Sequence, residues 1–359
     1  MPERKSSAMN PFSICIIVKN EERNIVRCLK SLQMLDCEII LCDTGSTDNT
    51  VSLASPYVSK IVYFRWIQDF SAARNYSISQ ASNDWVLILD CDEWAESADV
   101  AKFMELSALY PDHMGLLKRI NLQNPDNRAG AYTDWVPRFF NRRYFTYDGR
   151  IHEQVVSLSG EPLNGFRLPL TILHSGYVGT PEELAPKHER NITMLEKELA
   201  AAPDHPYYNF QMGQEYYNLF EYEKALDYYS KVISNDLSPG LEYHRLTVIA
   251  YGDCLIHTPR KAEALALKKF EETFGGNPDF SCLMGMIYLA NNKPLEAMPE
   301  FIKALSMDNP YKEGTNTYLP WYFLGLINES FDNYAAARSF YEKCGEFALA
   351  KNRLAALDG

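Results

Sequence analysis

No run of apolar residues in this chain approaches the ~20 that a membrane-spanning helix needs. Positive charge is also short. Lys and Arg number 35 against 47 Asp and Glu, a formal net charge of −12, which argues against general binding to a nucleic-acid backbone. The N-terminal stretch MPERKSSAMNPF lacks the apolar core of a signal peptide. Cysteine pairs are missing too: eight cysteines stand at 15, 28, 37, 42, 91, 254, 282 and 344, none as CxxC. Several fall in apolar strand or helix patterns, so buried thiols in a reducing cytoplasm are the expectation. What is present suits a folded chain. The 359 residues are 46% hydrophobic and 13% aromatic, enough for two domains and a large core.

The first half alternates strand and helix patterns. Phe12 to Val18 reads as an apolar strand, followed by the polar turn Lys19-Asn20-Glu21-Glu22. Ile25, Cys28, Leu29 and Leu32 then recur at helical spacing. Glu38 to Cys42 is a second strand, Asp43 to Asp48 a polar turn, and Thr50 to Ala54 the start of a helix. KIVYFRW, FSAARNYSISQAS and DWVLILD follow as strand, helix and strand. Such alternation predicts a mostly parallel sheet built of βαβ units. Ligands bind beyond the carboxyl ends of such strands. Those ends hold Asn20 and Glu21, Asp43 to Ser46, and Asp90 to Asp92.

The stretch LILDCDEW runs a buried strand directly into Asp90, Asp92 and Glu93. Two carboxylates at i and i+2 after a strand can divide the work: one takes a ribose hydroxyl, the other a divalent cation that neutralises a diphosphate. The plain alternative is that Asp90 caps the next helix and the other acids are solvated.

IIVKNEERNIVRCLKSL, LCDTGSTDNT, FSAARN and LDCDEW together resemble family 2 glycosyltransferases with the GT-A fold. The likeness is strong over residues 12 to 100 and looser to about 180. It implies that Asp43 hydrogen-bonds a nucleotide base, with Glu21 on the floor of the pocket. It places Arg74 near the base and diphosphate. Asp90 is then the ribose-binding acid and Asp92 the ligand of Mn2+ or Mg2+. Where the family frequently carries a second acid, this chain has Thr44.

Between 115 and 180, RFFN and YDGRIHE suggest strands and loops packed against the first sheet. The signature of processive members is absent; WVPRFF and RIHE resemble a non-processive subgroup. An inverting transfer needs a base for the acceptor proton. The candidates are Glu153, favoured for its cluster with His152 and Arg150, and Asp134; a simple Arg150–Glu153 ion pair is the competing reading. His174 follows LTIL and either joins Asp92 on the cation or is a structural histidine. Arg138, Arg142 and Arg143 are candidates to offset diphosphate charge, the last two equally a solvated turn.

From 186 onward the pattern is helical. Gly213, Gly252, Gly285 and Gly325 lie 39, 33 and 40 residues apart, and Ala225, Ala264, Ala297 and Ala337 follow the same intervals. The segments resemble tetratricopeptide repeats, with a degenerate second copy around YGDCLIHTPRKAEALALKKF. Tyr207, Tyr208, Tyr216, Tyr217, Tyr228 and Tyr229 are too many to be all core, so some are expected on a surface. A concave repeat face that holds a peptide competes with a helical buttress or a homodimer contact.

The expected organisation is an α/β GT-A domain over residues 1–185 and an all-α repeat domain over 186–359. The implied activity is metal-dependent, inverting transfer from a UDP-sugar to a peptide or protein Ser, Thr or Cys, as in enzymes of the bacteriocin (glycocin) type. A lipopolysaccharide-core glycan is the rival acceptor. An inactive, repeat-based scaffold is the rival class, opposed by the intact Asp43, Arg74, Asp90 and Asp92.

Overall fold

The computed structural model describes residues 9–124, 128, 131–176 and 178–358. Residues 1–8 of the stretch read for a signal peptide lie outside them. The chain divides into two compact units, with the break between Val178 and Gly179. The boundary expected after residue 185 falls inside a helix, Pro181–Ala201, which starts early because Thr180 and Glu183 form a capping box ahead of it.

In the first unit, β1 (Asn10–Val18), β2 (Cys37–Asp43), β3 (Lys60–Tyr63) and β4 (Trp85–Leu89) are the four strands expected from the apolar runs. They are joined through α1 (Ile25–Leu32), α2 (Thr50–Ala54) and α3 (Phe70–Ser79). Beyond them come β5 (Glu93–Ala98), α4 (Val100–Leu109), β6 (Met114–Asn121), β7 (Tyr132–Asn141), β8 (Phe145–Asp148), β9 (Gln154–Ser157) and β10 (Gly165–His174). The main sheet runs β3-β2-β1-β4-β7-β6-β10-β5, and β8 and β9 form a separate hairpin. Phe12, Ile14, Ile16, Leu87 and Leu89 are buried with the apolar stripe of α1 on one face, while Cys15, Ile40, Val86 and Ile88 are buried on the other. Burial on both faces explains why these strands read as unbroken apolar runs.

The segment after 115 is not a layer packed on the sheet. It extends the sheet: β7 pairs antiparallel with β4, and β6 antiparallel with β7. RFFN lies in β7, whereas YDGRIHE belongs to the hairpin and its loop. β10 is parallel to β6 and antiparallel to β5. One sheet edge therefore gathers the carboxyl ends of β1, β2, β4, β6 and β10 with the amino ends of β5 and β7.

The second unit contains α5 (Pro181–Ala201), α6 (Pro206–Asn218), α7 (Tyr222–Ile233), α8 (Glu242–Ile256), α9 (Glu271–Phe274), α10 (Pro278–Ala290), α11 (Pro294–Leu305), α12 (Tyr318–Ser330), α13 (Tyr334–Glu342) and α14 (Ala348–Asp358). The periodic glycines let helices approach. A Cβ on Gly213 would stand 2.4 Å from the Tyr229 ring, one on Gly285 2.5 Å from Phe301, and one on Gly325 2.4 Å from Tyr341. The degenerate second copy replaces most of its return helix with a 3-10 segment, Glu263–Phe270.

The six tyrosines are not all core. Tyr229 is fully buried, while Tyr207, Tyr208, Tyr216, Tyr217 and Tyr228 are half-buried. Helix pairing absorbs them: Tyr216 and Tyr228 stack at 5.6 Å, and the Tyr217 hydroxyl donates to Asp253 Oδ2 at 2.7 Å. Among the described residues, no helix is long and apolar enough to cross a membrane.

Candidate active site

Two of the three acids after β4, Asp90 and Glu93, answer to three arginines. Asp90 to Glu93 form a turn closed by the Glu93 amide donating to the Asp90 carbonyl at 3.1 Å. Asp90 thus caps no helix; the chain enters β5. Arg74 Nη2, on α3, donates to Asp90 Oδ1 at 2.8 Å, and Arg138 Nη2, on β7, donates to Asp90 Oδ2 at 3.0 Å. Burial alone would raise the Asp90 carboxyl. The Arg74 and then the Arg138 guanidinium outweigh it and hold Asp90 well below the ordinary carboxylate range. Glu93 is 0% exposed. Its Oε2 accepts the Asp90 amide at 2.9 Å, and its Oε1 lies 3.5 Å from Arg119 Nη1 and 3.9 Å from Arg138 Nη2. A carboxylate this deep persists only when paired.

β6 carries the network across the sheet. Arg119 grips Asp134 with two bonds, Nε to Oδ1 at 3.0 Å and Nη2 to Oδ2 at 2.6 Å. Asn121 Nδ2 adds a third donor to Asp134 Oδ1 at 3.2 Å. The Asn121 Oδ1 lies 2.7 Å from His174 Nδ1, and His174 Nε2 stands 3.5 Å from Asp92 Oδ2. Because Asn121 spends its amide nitrogen on Asp134, its oxygen faces the imidazole and accepts the Nδ1 proton. His174 Nε2 is then the ring nitrogen that faces Asp92. A carboxylate oxygen and an imidazole nitrogen so close together suit a shared cation.

Glu153 is not paired with Arg150. Its Oε1 accepts from Arg74 Nε. The Arg150 carbonyl instead accepts the Phe70 amide at 2.8 Å. Asn75, next to Arg74 in the AARN motif, fixes the β8 backbone: its Nδ2 donates to the Tyr147 carbonyl at 2.8 Å and its Oδ1 accepts the Tyr147 amide at 3.0 Å.

Asp43 is 5% exposed at the end of β2. Its carboxylate accepts the Gly45 and Ser46 amides, both at 3.2 Å to Oδ2, and Gly45 supplies the φ of 108° that this turn requires. Thr44 turns its hydroxyl inward to the Val18 carbonyl at 3.0 Å. Glu21 Oε2 accepts from Asn24 Nδ2 at 2.8 Å.

Two of the arginines proposed for the diphosphate are elsewhere. β7 runs antiparallel, so Arg142 and Arg143 emerge at the opposite sheet edge. There Arg142 donates to the Ile78 and Ala81 carbonyls at 3.0 and 2.8 Å, and Arg143 pairs with Asp84 at 2.8 Å. Arg119, Asn121 and Arg27 escaped the sequence reading. Arg27, on α1, lies 3.7 Å over the Trp94 ring and donates to Ser175 Oγ at 3.0 Å, beside His174. The pair Arg119 and Asn121, two positions apart and so on one face at the end of a strand that opens MGLL, was the available signal.

Residues 13–157 match the family model described as glycosyl transferase family 2. The first unit carries a family 2 glycosyltransferase domain. Residues 206–238, 278–311 and 320–347 match a tetratricopeptide-repeat model, which leaves the degenerate second copy unmatched. The SPbeta prophage-derived glycosyltransferase SunS of Bacillus subtilis is 29% identical over 223 residues, covering 61% of this chain and 52% of that protein. The chain thus spans about half the length of that relative. A TPR repeat-containing protein of Synechococcus elongatus is 44% identical over 87 residues, 24% of this chain and 22% of its own. Among solved structures, S. aureus TarS aligns over 81% of this chain and 54% of its own, with 13% identity and a TM-score of 0.35.

Within the family 2 domain, the described residues contain no group of three His, Cys, Asp or Glu side chains set to hold a metal. Asp92 and His174 would offer two donors. That number fits a cation whose remaining positions are filled by donor phosphates and water, the usual arrangement for Mg2+ at diphosphates.

Proposed function

We propose that this chain transfers a sugar, with inversion, from a UDP-sugar to a Ser, Thr or Cys side chain of a peptide or protein. The observation that carries the proposal is the convergence of Asp43, Asp90, Asp92, Arg74, Glu153 and His174 at one sheet edge of a family 2 domain. Glu21 and the Asp43 turn lie at the nucleotide end. Asp90, held ionised by Arg74 and Arg138, is an acceptor for ribose hydroxyls. Asp92 and His174 would hold Mn2+ or Mg2+, which when bound would offset charge on the departing diphosphate.

Glu153 is the better placed base. Asp134 has both oxygens committed to Arg119 and Asn121, and serves as a brace between β6 and β7. Glu153 has one arginine contact, leaving its other oxygen for an acceptor. In the transfer, the acceptor oxygen or sulfur bonds to the anomeric carbon and its proton goes to Glu153. The bond from that carbon to the diphosphate breaks with its electron pair leaving on UDP. The repeats support a peptide or protein acceptor because such arrays present extended surfaces to polypeptides. The test is mass spectrometry of candidate acceptor peptides after incubation with UDP-hexoses. A mass increase of one hexose on Ser, Thr or Cys is expected. Modification confined to a lipopolysaccharide-core glycan would replace the acceptor class.

A further inference from the structure

We propose that Glu153 occupies, in the ligand-free chain, the place on Arg74 that the donor diphosphate takes, so that donor entry displaces Glu153 towards the acceptor; this step rests on the donor-site reading above. Arg74 is 5% exposed. It spends Nη2 on Asp90 and Nε on Glu153. Its third nitrogen, Nη1, is buried with no hydrogen-bond partner, and so is the hydroxyl of Tyr147. The Tyr147 ring lies 5.5 Å from the Arg74 guanidinium carbon. Two orphaned donors this close are rare in a protein interior. Glu153 brings one anionic group to this site. A diphosphate brings several acceptor oxygens and more charge, enough to meet Nη1 and the tyrosine hydroxyl as well as Nε.

The attachment of Glu153 suits displacement. Asn75 pins the hairpin at Thr146 and Tyr147. The segment beyond carries positive φ at Gly149, 95°, and at His152, 51°. A non-glycine residue in that region stores strain that a rearranged loop releases. The charged and titratable groups around Glu153 are Arg74 on α3 and Tyr147 on β8. Asp90 and Arg138 lie one contact further, and Arg150 and His152 share its loop. Of these, Arg74 is the contact a diphosphate competes for. A diphosphate in the donor site would thereby release the base.

The experiment uses the full chain with magnesium pyrophosphate and, separately, magnesium UDP, read by calorimetry and by the NMR resonance of the Arg74 Nε–H. Glu153→Gln removes the competing charge while leaving Arg74 its bond to Asp90. It is expected to bind both ligands roughly tenfold more tightly or better. Arg74→Lys is expected to bind both more weakly. In the wild type, the Arg74 Nε–H resonance moves when either ligand saturates the site, which keeps the test decisive even if a variant folds poorly. Unchanged or weaker binding by a folded Glu153→Gln overturns the proposal. So does a resonance that ignores bound UDP, which would leave the donor site standing. Absence of binding by both ligands overturns the donor-site reading together with it.

Discussion

Asn121 and His174 meet at 2.7 Å, and through that contact the far end of the Asp134 brace sets which imidazole nitrogen faces Asp92. The amide has no freedom to turn over, since its nitrogen already donates to Asp134 at 3.2 Å. Asn121→Leu should therefore weaken Mn2+ binding in the presence of UDP by about 10- to 100-fold, the usual cost of losing a ligand's orienting partner. Nucleotide binding without metal should change little. Metal titration by electron paramagnetic resonance checks this. Equal Mn2+ affinity in the variant would remove His174 from the cation site.

The two candidate bases should separate by stability as well as by turnover. Glu153→Gln should lose turnover by about 10²-fold or more and keep its melting temperature. Asp134→Asn breaks a two-bond grip on Arg119 and leaves that guanidinium short of a partner. A loss of about 3 kcal/mol is expected from breaking a largely buried pair, seen as a lower denaturation midpoint. A stable, inactive Asp134→Asn beside an active Glu153→Gln would transfer the base role to Asp134.

Much of this arrangement was legible in sequence because strand ends punctuate it. The four parallel strands, the polar turns after them and the placement of Asp90 and Asp92 all follow from apolar runs meeting acids. The partners did not follow. Arg74 and Glu153 lie 79 positions apart, and nothing local tells an arginine which carboxylate it will meet. Of the two readings of Arg142 and Arg143 the turn is the one found, and sequence could not choose it: β7 reverses direction, and the sense of a strand is fixed by pairing with β4, not by its own residues. Which of the tyrosines would be core was hidden too. The burial of Tyr229 depends on Gly213 leaving room for its ring, a relation between two helices that a count of tyrosines does not reveal.

That relation is testable. Gly213→Ala puts a methyl 2.4 Å from the Tyr229 ring. The gain in helix propensity cannot offset a clash with a fully buried aromatic. A loss of about 1–3 kcal/mol is expected from overpacking. Chemical denaturation measures it. An unchanged or higher midpoint would mean that the helices separate at little cost.

Glu300 gives the second unit a pH dependence of definite sign. The residue is 8% exposed and its Oε2 has no hydrogen-bond partner. Burial, with Glu271 next, raises its pKa above the ordinary glutamate value against the pull of Lys303 and Lys268. The folded state thus holds the proton more tightly than the unfolded one. The Glu300 contribution to stability is fully present below the unfolded pKa, about 4.3, and is lost as pH rises through the folded value. Glu300→Gln should raise the melting temperature at pH 7 and leave it nearly unchanged at pH 4. The same destabilisation at both pH values would show that the charge is not what matters.

The most direct measurement is UDP release from a panel of UDP-sugars by the wild type and by Asp92→Ala, each with Mn2+ or Mg2+ and again with EDTA. Asp92 stands at a strand end outside the core, so the variant should fold. The account predicts that the wild type consumes at least one UDP-sugar with metal and stops in EDTA, and that Asp92→Ala is inactive in both at an unchanged melting temperature. Near-normal release by Asp92→Ala, or by the wild type in EDTA, would contradict it.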